Sequence, residues 1–339
     1  MIILKAFIPQ KVLYQNEILQ YKLGQELYHR YKNMGIEMVP IKDHHNVEFI
    51  KKAPDEKFVE FKKYLVLGVR KSLRPTPNER SADFIVPFTS SGCSAMCTYC
   101  YLVCNFFKGS YLRIFVNREE MIKAIQRKIK QVGEEKTYEI GSTSDMVLEN
   151  TITGNLKWAI EEFGKLEKAK CTFATKFSMV DELLDAKHNG NTQMRISVNP
   201  DYIIRKIEIG TSKLHDRINA ANSMYKAGYK IGINIAPIIL LDNWQDIYRE
   251  LFELLSNNLE KELKKQLFFE LIFMTYGFAN DTINKVALKG TIDVFDKDKM
   301  RPKGRGKYCY DYGIREDAAD FFRQMIHYYF PSSKISYIV

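Results

Sequence analysis

The stretch FIVPFTSSGCSAMCTYCYLVC, residues 84–104, joins an apolar run to four of the six cysteines in the chain. Phe84 to Thr89 reads as a buried β-strand, short, apolar and ended by small polar residues. The same pattern recurs downstream. FIVPFT, KTYEIGS, KCTFATKF, MRISVN, KIGINIAPI and LFFELIF are strand candidates between Phe84 and about Phe273. Between them lie the helical patterns REEMIKAIQRKIKQV, NLKWAIEEFGKL, LHDRINAANSMYKAGY and QDIYRELFELLSNNL. Strand followed by helix, repeated about six times, predicts an α/β fold with a parallel sheet and helices outside, doubly wound or a complete or partial barrel. Several runs end in polar residues: Thr89-Ser90, Ser142-Thr143-Ser144-Asp145, Lys176 and Asn199. Ligands of parallel α/β folds bind at the carboxyl ends of the strands, so a site is expected there.

Working outward, residues 1 to about 80 read as a small α/β unit. It has an apolar start, MIILKAFIPQKVLY, expected as a first strand, then an amphipathic stretch LGQELYHRYKNMG (23–35) and a second apolar run YLVLGV (64–69). The polar, Pro-containing link RPTPNERSAD (74–83) marks a boundary. After about 274 the alternation breaks. A basic, Gly-rich stretch (299–313) precedes a helical pattern, REDAADFFRQMIHYYF, and a short strand, KISYIV. Three units are therefore expected, over 1–80, 84–273 and 274–339.

The chain has 339 residues, 45% hydrophobic and 27% charged, an ordinary globular composition. No run of about 18 apolar residues could span a membrane. The N-terminus lacks the apolar core and cleavage site of a secretory signal. Both features predict a cytoplasmic protein with no membrane partner. Thiols stay reduced in that compartment, so clustered cysteines favour a metal or redox site over disulfides. The formal net charge of +10 biases the surface toward polyanions such as nucleic acid. It is most concentrated in KMRPKGRGKY, residues 299–308. Strict alternation would put Lys299, Arg301, Lys303, Arg305 and Lys307 on one face of an extended ribbon, beside Tyr308, in a row suited to phosphates. The plain alternative is a solvated Lys/Arg loop.

Cys93, Cys97 and Cys100 form C-x3-C-x2-C just after the first of the repeated strands. Three thiolates around an iron–sulfur cube leave one iron open for chemistry, where ordinary [4Fe–4S] sites use four cysteines. Cys104 follows on the next helical turn. It could close the site as a fourth ligand, giving a structural zinc or an electron-transfer cluster, or be a small apolar helix residue. The spacing leaves both open.

The loop, with Tyr99 before its last cysteine, resembles the motif of the radical S-adenosylmethionine (SAM) superfamily. That resemblance implies a partial (β/α)6 barrel, a [4Fe–4S] cluster on Cys93, Cys97 and Cys100, and reductive cleavage of SAM to an adenosyl radical that abstracts a hydrogen atom. More of the chain, in order, is similar to the spore photoproduct lyase family. The segments are KVLY, YKLGQELYHRYKNMGIE, YLVLGVRKSL, GCSAMCTYCYL, STSD, TKF, LLDAKHNG, GTSKLHDRINAA, AGYKIGINIAPI and FFELI. The resemblance implies a carbon–carbon lyase that returns 5-thyminyl-5,6-dihydrothymine in DNA to two thymines. It further implies a monomer in the cytoplasm of the spore core, an electron donor of flavodoxin or ferredoxin type, and a DNA-contacting β-hairpin near 299–308.

Carried over position by position, the resemblance makes Tyr99, Ser144, Lys176, Ser197, Asn199 and the backbone at Ala236 SAM contacts, and Tyr99 and Tyr101 a radical relay. The hydrogen donor of the family is a cysteine in Cys-Thr-Ser-Asp after the second strand, and here that position is Ser142. An O–H bond is much stronger than an S–H bond, so Ser142 cannot readily quench a carbon radical. Cys104 is the expected replacement, with Cys171 and Cys309 as rivals. The departure also keeps open a different substrate or outcome. A nucleic-acid-binding protein with a structural four-cysteine metal site is the competing class. His188, in AKHNG, reads as part of a turn.

Overall fold

The computed structural model describes residues 7–339. The expected first strand over 1–14 is β1 (Lys11–Tyr14), with residues 1–6 outside the described range. The helix Lys22–Asn33 returns the chain to β2 (Glu37–Pro40), and β3 (Tyr64–Gly68) lies parallel on the other side of β1. The 74–83 link forms β4 (Thr76–Pro77), which pairs antiparallel with β5 (Phe84–Ile85). FIVPFT is strand only at its first two residues; Pro87 brings no amide to a ladder. The chain then passes through β6 (Ser90–Ser91), β7 (Met96–Cys97) and β8 (Leu112–Phe115). The last of these runs parallel to β3, and β6 pairs on its far side. The N-terminal sheet thus takes two strands from beyond the link and encloses both ends of the cysteine loop.

The repeated pattern continues with β9 (Lys136–Glu139), β10 (Ala169–Thr175), β11 (Thr192–Val198), the short β12 (Glu208–Ile209), β13 (Lys230–Ile238) and β14 (Phe268–Phe273). β5, β9, β10, β11, β13 and β14 are neighbours in that order and all parallel. This is the partial barrel of parallel strands that the repeated pattern predicts. Its outer face is apolar: Met194, Ile196 and Val198 on β11 and Ile231, Ile233 and Ile235 on β13 are buried under the surrounding helices. β15 (Thr275–Gly277), β16 (Met300–Gly304) and β17 (Lys307–Tyr310) form a separate antiparallel sheet. The helix Tyr312–Tyr329 then packs its Phe321 and Phe322 onto Trp244 and Tyr248. β18 (Lys334–Ile338) adds in parallel to β14 and covers the barrel edge.

Strand alternation makes the other face of the barrel polar. Arg195 crosses its floor, with Nε on Thr172 Oγ1 (3.0 Å) and Nη atoms on Glu139 (2.7 Å) and Glu270 (3.1 Å). Each buried charge has its opposite, which is what makes burial tolerable. Two residues higher, Ser197 and Asn234 pair in register, and Lys176, Asn199 and Ala236 stand at the rim. Between Ile235 and Ile238 the β13–β14 register shifts, which leaves the Ala236 and Pro237 carbonyls free for side chains.

Candidate active site

Gly92 opens the cysteine loop at φ +78, and a Cβ there would stand 1.8 Å from the Tyr111 carbonyl oxygen. Its amide donates to Thr143 O at 2.8 Å, and it bridges Ser144, so the loop starts clamped to the polar end of β9. Cys93 N donates to Ser110 O at 3.1 Å. Lys62 Nζ donates to both Cys93 O (3.0 Å) and Ser110 O (2.9 Å). β7 pairs with β12 and sets Cys97 opposite Glu208. From the helix Phe278–Ala287, Asn280 and Asn284 donate to Cys100 O and Thr98 O, each at 2.9 Å. All of these bonds end on backbone groups of the loop, and among the described residues the three sulfurs accept only from Ala95 N, which donates to Cys93 Sγ at 3.4 Å.

Cys97 is buried, Cys93 and Cys100 half-buried. Burial pushes the Cys93 thiol up to about 12, so a bound cation is needed to hold it as a thiolate. Among the described residues no three His, Cys, Asp or Glu side chains are spaced to hold a single metal ion. A structural zinc would gather its sulfurs about 2.3 Å from one centre. Two buried hydroxyls in the loop, Thr98 Oγ1 and Ser110 Oγ, have no partner among the described residues. Three thiols on one loop, with two buried hydroxyls beside them, fit a [4Fe–4S] cube, whose sulfides accept hydrogen bonds. Cys104 does not join them. Its thiol donates to Asn280 Oδ1 at 2.9 Å and lies against Gly277.

Beside the loop, Glu208 is the centre of a buried polar ring. Its Oε1 accepts from Tyr99 Oη and from Asn199 Nδ2 (3.0 Å) and lies 3.3 Å from Lys176 Nζ. Its Oε2 accepts from Arg217 at 2.6 Å. Lys176 and Arg217 hold the carboxyl down at about 2 against the upward push of burial. Lys176 also donates to Ala236 O, and Asn199 to Pro237 O at 3.1 Å. Arg217 spends its other donors on Ser212 O, Ser197 O and Thr211 Oγ1. Asn234 Oδ1, on a residue in register with Ser197, is a buried acceptor with no donor among the described residues. A ligand bearing amino and hydroxyl donors, as SAM does, fits that polar interior.

At the end of β9, Asp145 caps the helix Met146–Thr153 and accepts from Thr175 Oγ1 (2.8 Å) and Lys176 N (2.9 Å), which locks the ends of β9 and β10 together. Ser90 donates to Ser144 Oγ at 2.7 Å. Ser142 lies in the turn after Gly141, and its carbonyl accepts from Tyr101 Oη. Tyr101 is 51% exposed, so this pair faces the open side of the site.

The basic segment is a hairpin, as the resemblance implies, and not the single extended ribbon that its alternation alone suggests. Arg305 and Gly306 turn it with φ +52 and +68, the left-handed pair that matches strand twist. Arg301 and Lys303 therefore sit on β16, Arg305 in the turn and Lys307 on the returning β17. Lys299 falls out of the expected row: it is bound to Asp242 (3.0 Å) and Asp296 (3.1 Å). Tyr308 is half-buried and packs edge-on to Phe295 and Phe278. Lys303, Arg305 and Lys307 are exposed and outside any ion pair among the described residues.

A family model described as spore photoproduct lyase matches residues 7–339. The chain belongs to the spore photoproduct lyase family. It is 39% identical to the spore photoproduct lyase of Bacillus subtilis (strain 168) over 98% of both chains. It is 36% identical to that of Geobacillus sp. (strain Y412MC61), over 98% of this chain and 99% of the relative. A solved spore photoproduct lyase complexed with dinucleoside spore photoproduct superposes with a TM-score of 0.92 at 34% identity, covering 99% of this chain and 100% of that one. A doubly substituted spore photoproduct lyase with bound AdoMet and the same dinucleoside gives the same TM-score, identity and coverage.

Of the residues the spore photoproduct lyase resemblance singled out, the fold gathers Tyr99, Lys176, Asn199 and Ala236 around Glu208, and Tyr101 with Ser142. Ser144 stands apart, at the crossing with Gly92. Cys171 is fully buried on the outer face of β10, and Cys309 lies on the hairpin. His188 stacks on Tyr229 and holds its turn through Gly190 N and Ala227 O, as expected. Sequence reading missed Glu208, Arg217, Lys62 and Asn280. Arg217 stands in the quoted GTSKLHDR, yet only the crossing of β7 and β12 shows what it holds.

Proposed function

We propose that this chain repairs spore photoproduct in DNA to two thymines, as a lyase using a [4Fe–4S] cluster and SAM. The observation that carries the reading is the three-cysteine loop, fixed by its backbone at the carboxyl ends of six parallel strands, in a member of this family. When bound, the cluster and SAM supply a carbon-centred radical that takes a hydrogen atom from the methylene bridge of the lesion. Cys93, Cys97 and Cys100 hold the cluster. Lys176, Ser197 and Asn199, with Tyr99 and the Ala236 backbone, line the SAM site, and Ser144 borders it from the crossing with Gly92; the Asn234 acceptor beside Ser197 suits a ligand hydroxyl. Tyr101, exposed and hydrogen-bonded to the Ser142 backbone, is the relay phenol nearest the substrate side.

The remaining thymine radical needs a hydrogen donor, and Ser142 is a poor one. Cys104 takes that part in this reading. It is a half-buried thiol on the helix Tyr101–Phe106, one turn beyond Cys100 and beside the hairpin. Lys303, Arg305 and Lys307 grip the phosphates that flank the lesion, while the lesion itself is extruded into the site. The protein acts as a cytoplasmic monomer in the spore core and draws electrons from a flavodoxin or ferredoxin type of donor. No described helix is long and apolar enough to cross a membrane.

The test is a reaction of anaerobically reconstituted protein with SAM, a reductant and the dinucleotide spore photoproduct, followed by chromatography. Recovery of the thymine dinucleotide is expected. Formation of 5′-deoxyadenosine without it would point to another substrate, and a colourless, zinc-containing protein would support the nucleic-acid-binding alternative.

A further inference from the structure

Lys62 follows the helix Phe58–Phe61 and is 2% exposed. Burying an ammonium without a counter-charge costs roughly several kcal/mol. Its two hydrogen bonds go to neutral carbonyls, Cys93 O and Ser110 O, which satisfy protons but not charge. Phe58 lines its other side, with the ring centre 5.2 Å from Nζ. Among the described residues no carboxylate pairs with it. The ionisable groups that face it are the thiols of Cys100, Cys93 and Cys97, together with Arg113. Arg113 adds like charge and is committed elsewhere, with Nε on His44 O (3.0 Å) and its guanidinium on the rings of Tyr111 and Phe106. The anions that the surroundings of Lys62 can offer are therefore the three thiolates and whatever they bind.

We propose that Lys62 is a positioning residue for the cluster: its ammonium is a fixed counter-charge that pins both ends of the cysteine loop and eases reduction of the iron–sulfur group. The role rests on the cluster assigned above to the same loop. A cube held by three thiolates carries net negative charge, and that charge grows when the electron arrives. A cation fixed beside it, shielded from water and salt, stabilises the reduced form more than the oxidised one. The N-terminal unit thereby gains a task in the chemistry, since its short helix delivers the charge.

The test compares the wild type, Lys62→Arg and Lys62→Gln, reconstituted anaerobically without substrate. Iron and sulfide are counted, then the cluster is titrated potentiometrically with electron paramagnetic resonance as the readout. Gln keeps a donor but loses the charge. It is expected to shift the reduction equilibrium about tenfold or more against the reduced form, about 59 mV more negative for one electron. Arg is expected to stay near the wild type. Iron lost from Gln but kept by Arg also supports the role. A loaded Gln variant with the wild-type midpoint overturns it, as does equal loss of iron from both variants, because shape and not charge would then be required. A wild type that takes up no iron would overturn the cluster itself, a result distinct from either.

Discussion

Ser142 and Glu208 show at the residue scale how unequal the two kinds of information were. Ser142 was legible at once, because its place in STSD is a matter of counting along the chain. If the missing thiol limits the quench, Ser142→Cys should raise recovery of the thymine dinucleotide severalfold relative to adducts in the chromatographic assay. Cys104→Ala should lower that recovery and leave the iron content unchanged; loss of iron would instead make Cys104 a ligand. Glu208 gave no signal, since a glutamate between two isoleucines reads as an ordinary strand residue. In the fold its carboxyl is held at about 2, below its ordinary 4.5. A depressed carboxyl stabilises the native state above its unfolded value and loses that contribution as pH falls toward its folded value. The cluster-free protein should therefore lose about 3 kcal/mol between roughly pH 4.5 and 2 from this group alone. Glu208→Gln should remove that pH-dependent part and destabilise the protein by about 3 kcal/mol at neutral pH, because Arg217 is left buried and unpaired. Urea unfolding at several pH values measures both.

At the scale of elements, apolar runs and helical periods located the barrel strands and the helices between them, because burial on one face imposes those periods. The segments that failed were short or doubled back. β8, four residues long, went unread, although it extends the N-terminal sheet between β3 and β6. The basic segment alternates as an extended ribbon would, so the family resemblance, and not the alternation, pointed to the hairpin that turns at Arg305-Gly306. The hairpin assignment carries its own test. Lys303, Arg305 and Lys307 changed together to Ala should weaken binding to lesion-bearing duplex DNA. The slope of log affinity against log salt should fall by about 0.9 for each phosphate that the variant no longer neutralises. Repair of the free dinucleotide should stay near the wild-type rate, and Lys299→Ala, already neutralised by Asp242 and Asp296, should change the salt slope little.

For the whole molecule, the last strand is as structural as any in the barrel. β18 covers the open edge of β14, Val339 O accepts from Phe273 N at 2.7 Å, and Phe330 packs on Phe269. Removing residues 330–339 should expose an apolar parallel edge, lower the melting temperature by many degrees and promote aggregation, readable by thermal scanning with light scattering. The chain alone determined its class, its strand and helix repeat, the three-cysteine loop and the altered donor position. Each of these is a local pattern set by neighbours along the chain. Only the tertiary structure decided that Glu208 pairs with Arg217, that Cys104 turns to Asn280 and that Lys62 reaches the cysteine loop. Such partners can lie far apart in the chain, 176 residues for Cys104 and Asn280. A buried charge or thiol acquires its role from what faces it in space, and strand periodicity carries no record of that.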